Sequence, residues 1–205
     1  MYYGIYKGIR DSVWNCLVKF NITSFPVDIL KIAREAGIHV KKNSDTNGLC
    51  KGELGKSYYD GENWYIVYDD SQPVSISRFT IAHELGHFFL GHDLTYSKYS
   101  TVSSFAKKPK EEEQSDRFAV RLLSPACILK ELDLHTAEDI AKYCNIPFDV
   151  AAERSKRMQV LCKRNAFFTC PIEAEVYETF KPYIRAAMRK KAAEEKIKSK
   201  KRSKT

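Results

Sequence analysis

The stretch His83-Glu84-Leu85-Gly86-His87-Phe88-Phe89-Leu90-Gly91-His92 constrains this chain more than any other, since it holds three of the five histidines. Phe79, Ile81 and Ala82 precede it, and with Leu85, Phe88, Phe89 and Leu90 they make a run that is apolar almost all round. Such a run suits a helix buried in a core. On a helix, residues four apart stack on one face about 6 Å apart along the axis, so His83 and His87 reach one small cation. Two histidines and a glutamate are costly to bury unless something satisfies them, and a metal ion does so. The H-E-x-x-H spacing supplies two imidazoles for zinc, with Glu84 placed to take a proton from the metal's water. The bland alternative, a core histidine bonded to backbone, does not explain all three groups together.

A chain of 205 residues holds one domain with a full core, or one domain plus a small appendage, and 43% hydrophobic content is globular. No basic start followed by a continuous apolar segment opens the chain, and no apolar run is long enough to span a bilayer. A cytoplasmic protein with no membrane segment is expected. The six cysteines, Cys16, Cys50, Cys127, Cys144, Cys162 and Cys170, are dispersed without a C-x-x-C pair. They read as reduced thiols rather than a disulfide frame or a structural zinc site.

Charge is uneven. From residue 181 onward there are eleven Lys and Arg against Glu194 and Glu195, a net of +9 within a total of +8, which leaves residues 1–180 at about −1. The high pI therefore describes the tail and not the body.

In order along the chain, Ile9, Val13, Cys16, Leu17 and Phe20 mark one face of a helix over residues 8–20. Ser24 precedes a second helix to about Ala36, with Leu30, Ala33 and Ile29 directed inward and Gly37 as its stop. Residues 38–40 alternate as a short strand with His39 exposed. Residues 49–54, 56–59 and 64–68 read as strands, with Asp60-Gly61-Glu62-Asn63 as a turn, and predict an antiparallel sheet. Its last strand feeds the histidine helix and offers an edge to an extended peptide. Residues 93–108 lack periodicity and read as a loop near the site.

Pro109 opens an acidic helix over residues 110–123, closed by Ser124-Pro125. Its Glu111-Glu112-Glu113 complements the helix dipole, and the face shared by Glu112, Asp116, Ala119 and Leu123 can also bring a carboxylate to the metal. A short helix over residues 125–132 follows, then a capping-box start at Thr136. Helices ending near Cys144 and running from Pro147 to about Met158 make a helix-turn-helix-like pair in which Arg154, Lys156 and Arg157 are candidate phosphate contacts. A last helix over residues 171–183 trails into a basic, disordered end.

Taken together, Arg78-Phe79-Thr80-Ile81-Ala82-His83-Glu84-Leu85-Gly86-His87 and the later Asp116-Arg117-Phe118-Ala119-Val120-Arg121-Leu122-Leu123-Ser124-Pro125 resemble the ImmA/IrrE family of bacterial metallopeptidases. The family's second motif places a Glu four residues before an Asn or Asp, then Phe-Ala, two Leu and a Pro. Counting back from Asp116, the resemblance implies Glu112 as third metal ligand, with Glu113 as the fallback. Ser124 stands where Met is common. The likeness covers residues 8–160. The long metzincin motif is set aside, because Leu90 and Asp93 occupy the positions of its Gly and third His. His92 is thus out of phase as a ligand on that plan and is left as a candidate for a supporting or substrate-binding role.

The resemblance implies an α+β fold: a zincin-like metallopeptidase core over residues 1–125, with a small antiparallel sheet packed on helices. A helical, helix-turn-helix-like module over residues 126–189 and a basic tail over 190–205 follow. It also implies a zinc-dependent regulatory endopeptidase, with His83, His87 and Glu112 holding Zn2+ and Glu84 as general base. The expected substrate is a helix-turn-helix repressor or antitoxin-like protein in a phage, mobile-element or stress circuit. Oxyanion donors are open among His92, Tyr96 and Tyr99. Two other readings remain: a DNA-binding regulator with a structural or vestigial zinc site, touching nucleic acid through residues 137–158 or the tail, and an interaction protein that uses the tail.

Overall fold

A computed structural model describes residues 3–92, 98–99 and 110–202. Helix α1 (Tyr3–Lys19) buries Ile9, Val13, Cys16, Leu17 and Trp14, which is the face expected from the spacing, and Phe20 just beyond it is buried too. Helix α2 (Ile29–Glu35) starts later than Ser24 suggests. Its cap is Asp28, whose side chain accepts from the Lys31 amide at 2.9 Å. The inward stripe is Ile29, Ile32 and Ala33, at the i, i+3, i+4 spacing of one helix face, so Leu30 is 51% exposed rather than buried. Gly37 ends the segment at φ 75°, a left-handed conformation that favours glycine.

Strand β1 (Ile38–Lys42) runs into a single turn, α3 (Asn43–Thr46), and β2 (Gly55–Tyr59) and β3 (Trp64–Tyr68) form an antiparallel hairpin. The Asp60 carboxylate closes the hairpin by accepting from the Glu62 and Asn63 amides. Residues 49–54 are not a strand: Cys50 donates its amide to Glu53 and Gly52 sits at φ 87°, so this stretch turns. The sheet order is β1-β3-β2-β4, where β4 is Lys98–Tyr99. It is mixed, not antiparallel, because β1 pairs parallel to β3 with Val40 opposite Ile66. The centre of the sheet is therefore β3, with both edges paired, and it offers none to a peptide. Beyond Gly55 and Lys56, which pair with β4, the outer edge of β2 has no strand partner among the described residues. The loop expected at residues 93–108 lies outside the described residues except for β4.

Helix α4 (Val74–Leu90) buries every residue from Phe79 to His87, as its all-round apolarity predicts. Helix α5 (Lys110–Leu123) packs along it and against α1. Then come α6 (Ala126–Glu131), α7 (Ala137–Cys144), α8 (Phe148–Lys163) and α9 (Pro171–Arg202). Thr136 caps α7 by accepting from the Asp139 amide at 3.1 Å. Pro182 interrupts one backbone hydrogen bond of α9, but Phe180 and Ile184 on either side are buried, and the helix continues. It carries helical structure through Arg202, where composition predicted none, with residues 188–197 exposed throughout. Ala192, Ala193, Glu194, Glu195 and Lys196 are strong helix formers, which accounts for this.

The hydrophobic core is one cluster that runs from Ile9 of α1 to Ile184 of α9, across residues 125 and 126. Cys16, Cys127 and Cys144 are buried in it, and burial pushes the Cys16 and Cys144 thiols up to about 12. They stay protonated and inert at neutral pH. No described helix is long and apolar enough to cross a membrane.

Candidate metal centre

One turn of α4 separates His83 from His87, and their Nε2 atoms lie 3.0 Å apart. From α5, Glu112 brings Oε2 to 3.2 Å from His83 Nε2 and Oε1 to 3.3 Å from His87 Nε2. One donor atom from each of the three lies within 4.8 Å of the others. Glu113 faces elsewhere: its carboxylate takes Arg117 at 2.6 Å, so α5 offers Glu112 and not its neighbour.

The proton positions follow from the partners. Asp116 accepts from His83 Nδ1 at 2.9 Å, which leaves a lone pair on His83 Nε2 in the neutral ring, aimed at the shared centre. His87 is oriented by a longer route. Gly91, at φ 70°, turns the chain after α4 and returns His92 beside His87, with the two Nδ1 atoms 3.1 Å apart. His92 Nε2 lies 3.1 Å from Gln114 Oε1, which can only accept. The consistent assignment has His92 donating to Gln114 and accepting from His87, so that His87 Nε2 also presents a lone pair. Burial lowers the His92 pKa and keeps the ring neutral, as this chain of bonds requires. Both imidazoles are thus pre-set as metal donors by α5, from Asp116 and from Gln114. This donor set, two imidazoles and a carboxylate with buried supports, fits a divalent cation of the zinc class.

Without a cation the site is charged. Burial alone would lower the His83 pKa, but Asp116, Glu112 and Glu84 outweigh it and raise it to about 9. Burial likewise opposes ionisation of Glu112, yet both histidines hold its carboxyl well below the usual range. Glu84 is fully buried. Its Oε2 accepts from the Ser57 hydroxyl of β2 at 2.6 Å, and burial raises its pKa despite the opposing pull of His83, Ser57 and His87.

Glycine makes two approaches possible here. A Cβ on Gly55 would lie 2.4 Å from Thr80 Cγ2 and 3.7 Å from Glu84 Oε1, so only glycine lets β2 lie this close to α4. Gly86, between the two ligand histidines, does the same for α5. Glycine inside H-E-L-G-H was the available signal for this contact. In the sequence Asp116 only sets the register of the second motif, and its hydrogen bond to His83 depends on the packing of α5 against α4. Of the oxyanion candidates, His92 is engaged with His87, while Tyr96 and the Tyr99 side chain lie outside the described residues.

Arg154 is not a phosphate contact. It is buried, and its Nε and an Nη2 donate to the Ser124 carbonyl at the end of α5. Arg157 turns onto Tyr6, so that of the three candidate cations only Lys156 is exposed. A cavity of about 300 Å³ bordered by Leu30, Arg34 and His39 opens beside β1 and includes no residue of the metal centre.

Residues 33–156 match the family described as the IrrE N-terminal-like domain, a narrower span than the 8–160 expected. The chain is 29% identical over 147 residues to Metallopeptidase ImmA of Bacillus subtilis (strain 168), covering 69% of this chain and 80% of the relative. It is 26% identical over 150 residues to the Uncharacterized immunity region protein 2 of Bacillus phage phi105, covering 72% and 89%. Buried histidines on α4 faced by a carboxylate from α5 are the arrangement a metal-dependent peptidase needs, and by its sequence match this chain belongs to the ImmA/IrrE family of metallopeptidases.

Proposed function

We propose that the protein is a zinc-dependent endopeptidase that cleaves a helix-turn-helix repressor or antitoxin-like protein in a phage, mobile-element or stress circuit. The observation that carries this reading is the convergence of His83 Nε2, His87 Nε2 and the Glu112 carboxylate beside the buried Glu84. A zinc ion bound there supplies a Lewis acid that acidifies water and polarises a peptide carbonyl. The residues of the chain do the rest.

Asp116 and the His92–Gln114 pair hold the imidazoles in the ligating tautomer. Ser57 fixes the Glu84 carboxylate, which takes a proton from water and returns it to the leaving amine. Its raised pKa suits a group that must both accept and give up that proton. A regulatory substrate accords with the immunity-region name of the phage relative. The alternative of a DNA-binding regulator loses Arg154 to the interior, and Arg157 is engaged with Tyr6.

The test is incubation with the repressor-like product of a neighbouring gene, with zinc and with chelator. Cleavage by the zinc-loaded protein that disappears in Glu84→Gln, while that variant retains zinc, is expected. Cleavage at the normal rate by Glu84→Gln would remove Glu84 as the base.

A further inference from the structure

Arg121 of α5 and Arg157 of α8 face Tyr6 of α1, and Arg117 lies one turn before Arg121 on α5. By the helical repeat Arg117 and Arg121 lie about 100–180° around α5 from Glu112 and Asp116. The guanidinium carbon of Arg121 is 4.4 Å from the Tyr6 ring centroid and that of Arg157 is 5.3 Å away. Arg157 donates to the Tyr6 hydroxyl at 2.7 Å, and Arg121 donates to the Arg117 carbonyl at 2.8 Å. All four side chains are partly exposed, so solvent reaches the cluster.

What the cluster lacks is negative charge. Among the described residues the one ion pair involving these arginines is Arg117 with Glu113, at 2.6 Å. Arg121 and Arg157 pair with no carboxylate. The Arg157 Nε is buried with no hydrogen-bond partner, and a buried N–H of this kind is costly to leave without an acceptor. Arg154, fully enclosed behind them, adds a further charge and spends its hydrogen bonds on a carbonyl. The field shows in the neighbours: burial acts to raise the Tyr6 pKa, yet Arg121 and Arg157 bring it below its ordinary value. Burial lowers that of Arg121, and Arg117 and Arg157 lower it further.

We propose that Arg121 and Arg157 around Tyr6, with Arg117 one turn from Arg121, form a binding site for the phosphate group of a small anion. A carboxylate presents two coplanar oxygens and satisfies one guanidinium fork, whereas a phosphate group presents oxygens in several directions and accepts from forks on two helices. A nucleic-acid backbone requires cations that project from the surface, and here the guanidinium groups lie half-buried against a ring. Occupancy draws α1, α5 and α8 together and competes with Glu113 for Arg117, one residue from Glu112.

Pyrophosphate titrated into the full-length protein, at ionic strength held constant with chloride, tests the site by thermal melting and calorimetry. A saturable rise in the melting midpoint is expected, and Arg121→Gln and Arg157→Gln each weaken binding about tenfold or more, the loss of one charge-assisted fork. Arg121→Lys keeps the charge and the stem but not the fork. It should weaken binding while its circular dichroism stays unchanged, which guards against a folding defect. Lys156→Gln, exposed on the same helix, should leave binding intact. No midpoint shift beyond chloride, equal binding by both Gln variants, or equal loss in Lys156→Gln overturns the proposal. So does capture of duplex DNA through these arginines with no response to pyrophosphate.

Discussion

Gly86 of α4 faces Ser115 of α5 so closely that a Cβ on Gly86 would lie 3.1 Å from the Ser115 Cα and 3.2 Å from its carbonyl oxygen. The obstacle is backbone, which cannot swing aside as a flexible side chain would. This contact sets the spacing at which Glu112 reaches the two histidines. Gly86→Ala should therefore cost about 1–3 kcal/mol of stability by overpacking and weaken metal binding as well. Denaturant melts and metal titration of the variant measure both, and wild-type values for both would show that the helices have slack.

Glu112→Ala should lose metal, because it removes the one carboxylate that touches both imidazoles. Glu113→Ala removes an exposed pair with Arg117, an interaction worth about 1 kcal/mol at most, and should retain metal. Metal content after dialysis separates the two. The reverse order would place the third ligand one residue later.

Asp116→Asn and His92→Phe should each reduce metal affinity, by about 10–100-fold, since each removes a group that fixes the tautomer of a ligand imidazole. Gln114→Ala, acting through His92, should have a smaller effect in the same direction. Competition with a chromophoric chelator reads these differences. Unchanged affinity in Asp116→Asn would mean that His83 needs no such partner.

Metal affinity should rise with pH. In the metal-free site His83 stays protonated up to about pH 9, and a cation must displace that proton to reach Nε2. Glu112 is a carboxylate throughout the working range, so it adds no competing proton. Apparent affinity should climb about tenfold per unit below pH 9 and flatten above it, with close to one proton released. Calorimetry in buffers of different ionisation enthalpy counts the proton. A flat profile between about pH 6 and 8 would contradict a charged His83.

A chain ending at Arg189 should fold and bind metal as the full chain does. Val176, Phe180 and Ile184, the buried residues of α9, all precede the cut, while residues 189–197 are exposed. Beyond the cut Lys191 meets Asp133 at 3.3 Å, a surface pair of small worth. Any lost property should be a salt-sensitive attraction to an acidic surface or to nucleic acid. Thermal melting and retention on heparin at two salt concentrations distinguish these outcomes.

Local patterns were legible where the physics is local. The apolar spacing of α1, the buried run of α4 and the Thr136 cap each depend on residues within a few positions of one another. The H-E-x-x-H pair is legible for the same reason, whereas the choice of Glu112 on the acidic face of α5 came from the family resemblance. What escaped depends on distant partners. Parallel pairing of β1 with β3 leaves no turn signature, because the strands are joined through α3 and β2. Leu30 carries no local mark of exposure, since its neighbours Ile29 and Ile32 are equally apolar and the sheet chooses between them. The return of His92 onto His87 depends on the left-handed turn at Gly91, which reads in sequence as an ordinary helix stop.

The placement of α1 bears on how the molecule is made. Its apolar face is covered by α5 and by α9, elements far along the sequence from it. Phe20 also meets Phe89 of α4, and contacts of such long sequence separation form slowly. Cover for α1 and assembly of the candidate metal centre thus both wait on the docking of α5, and a chain held short of that step exposes apolar surface that invites aggregation.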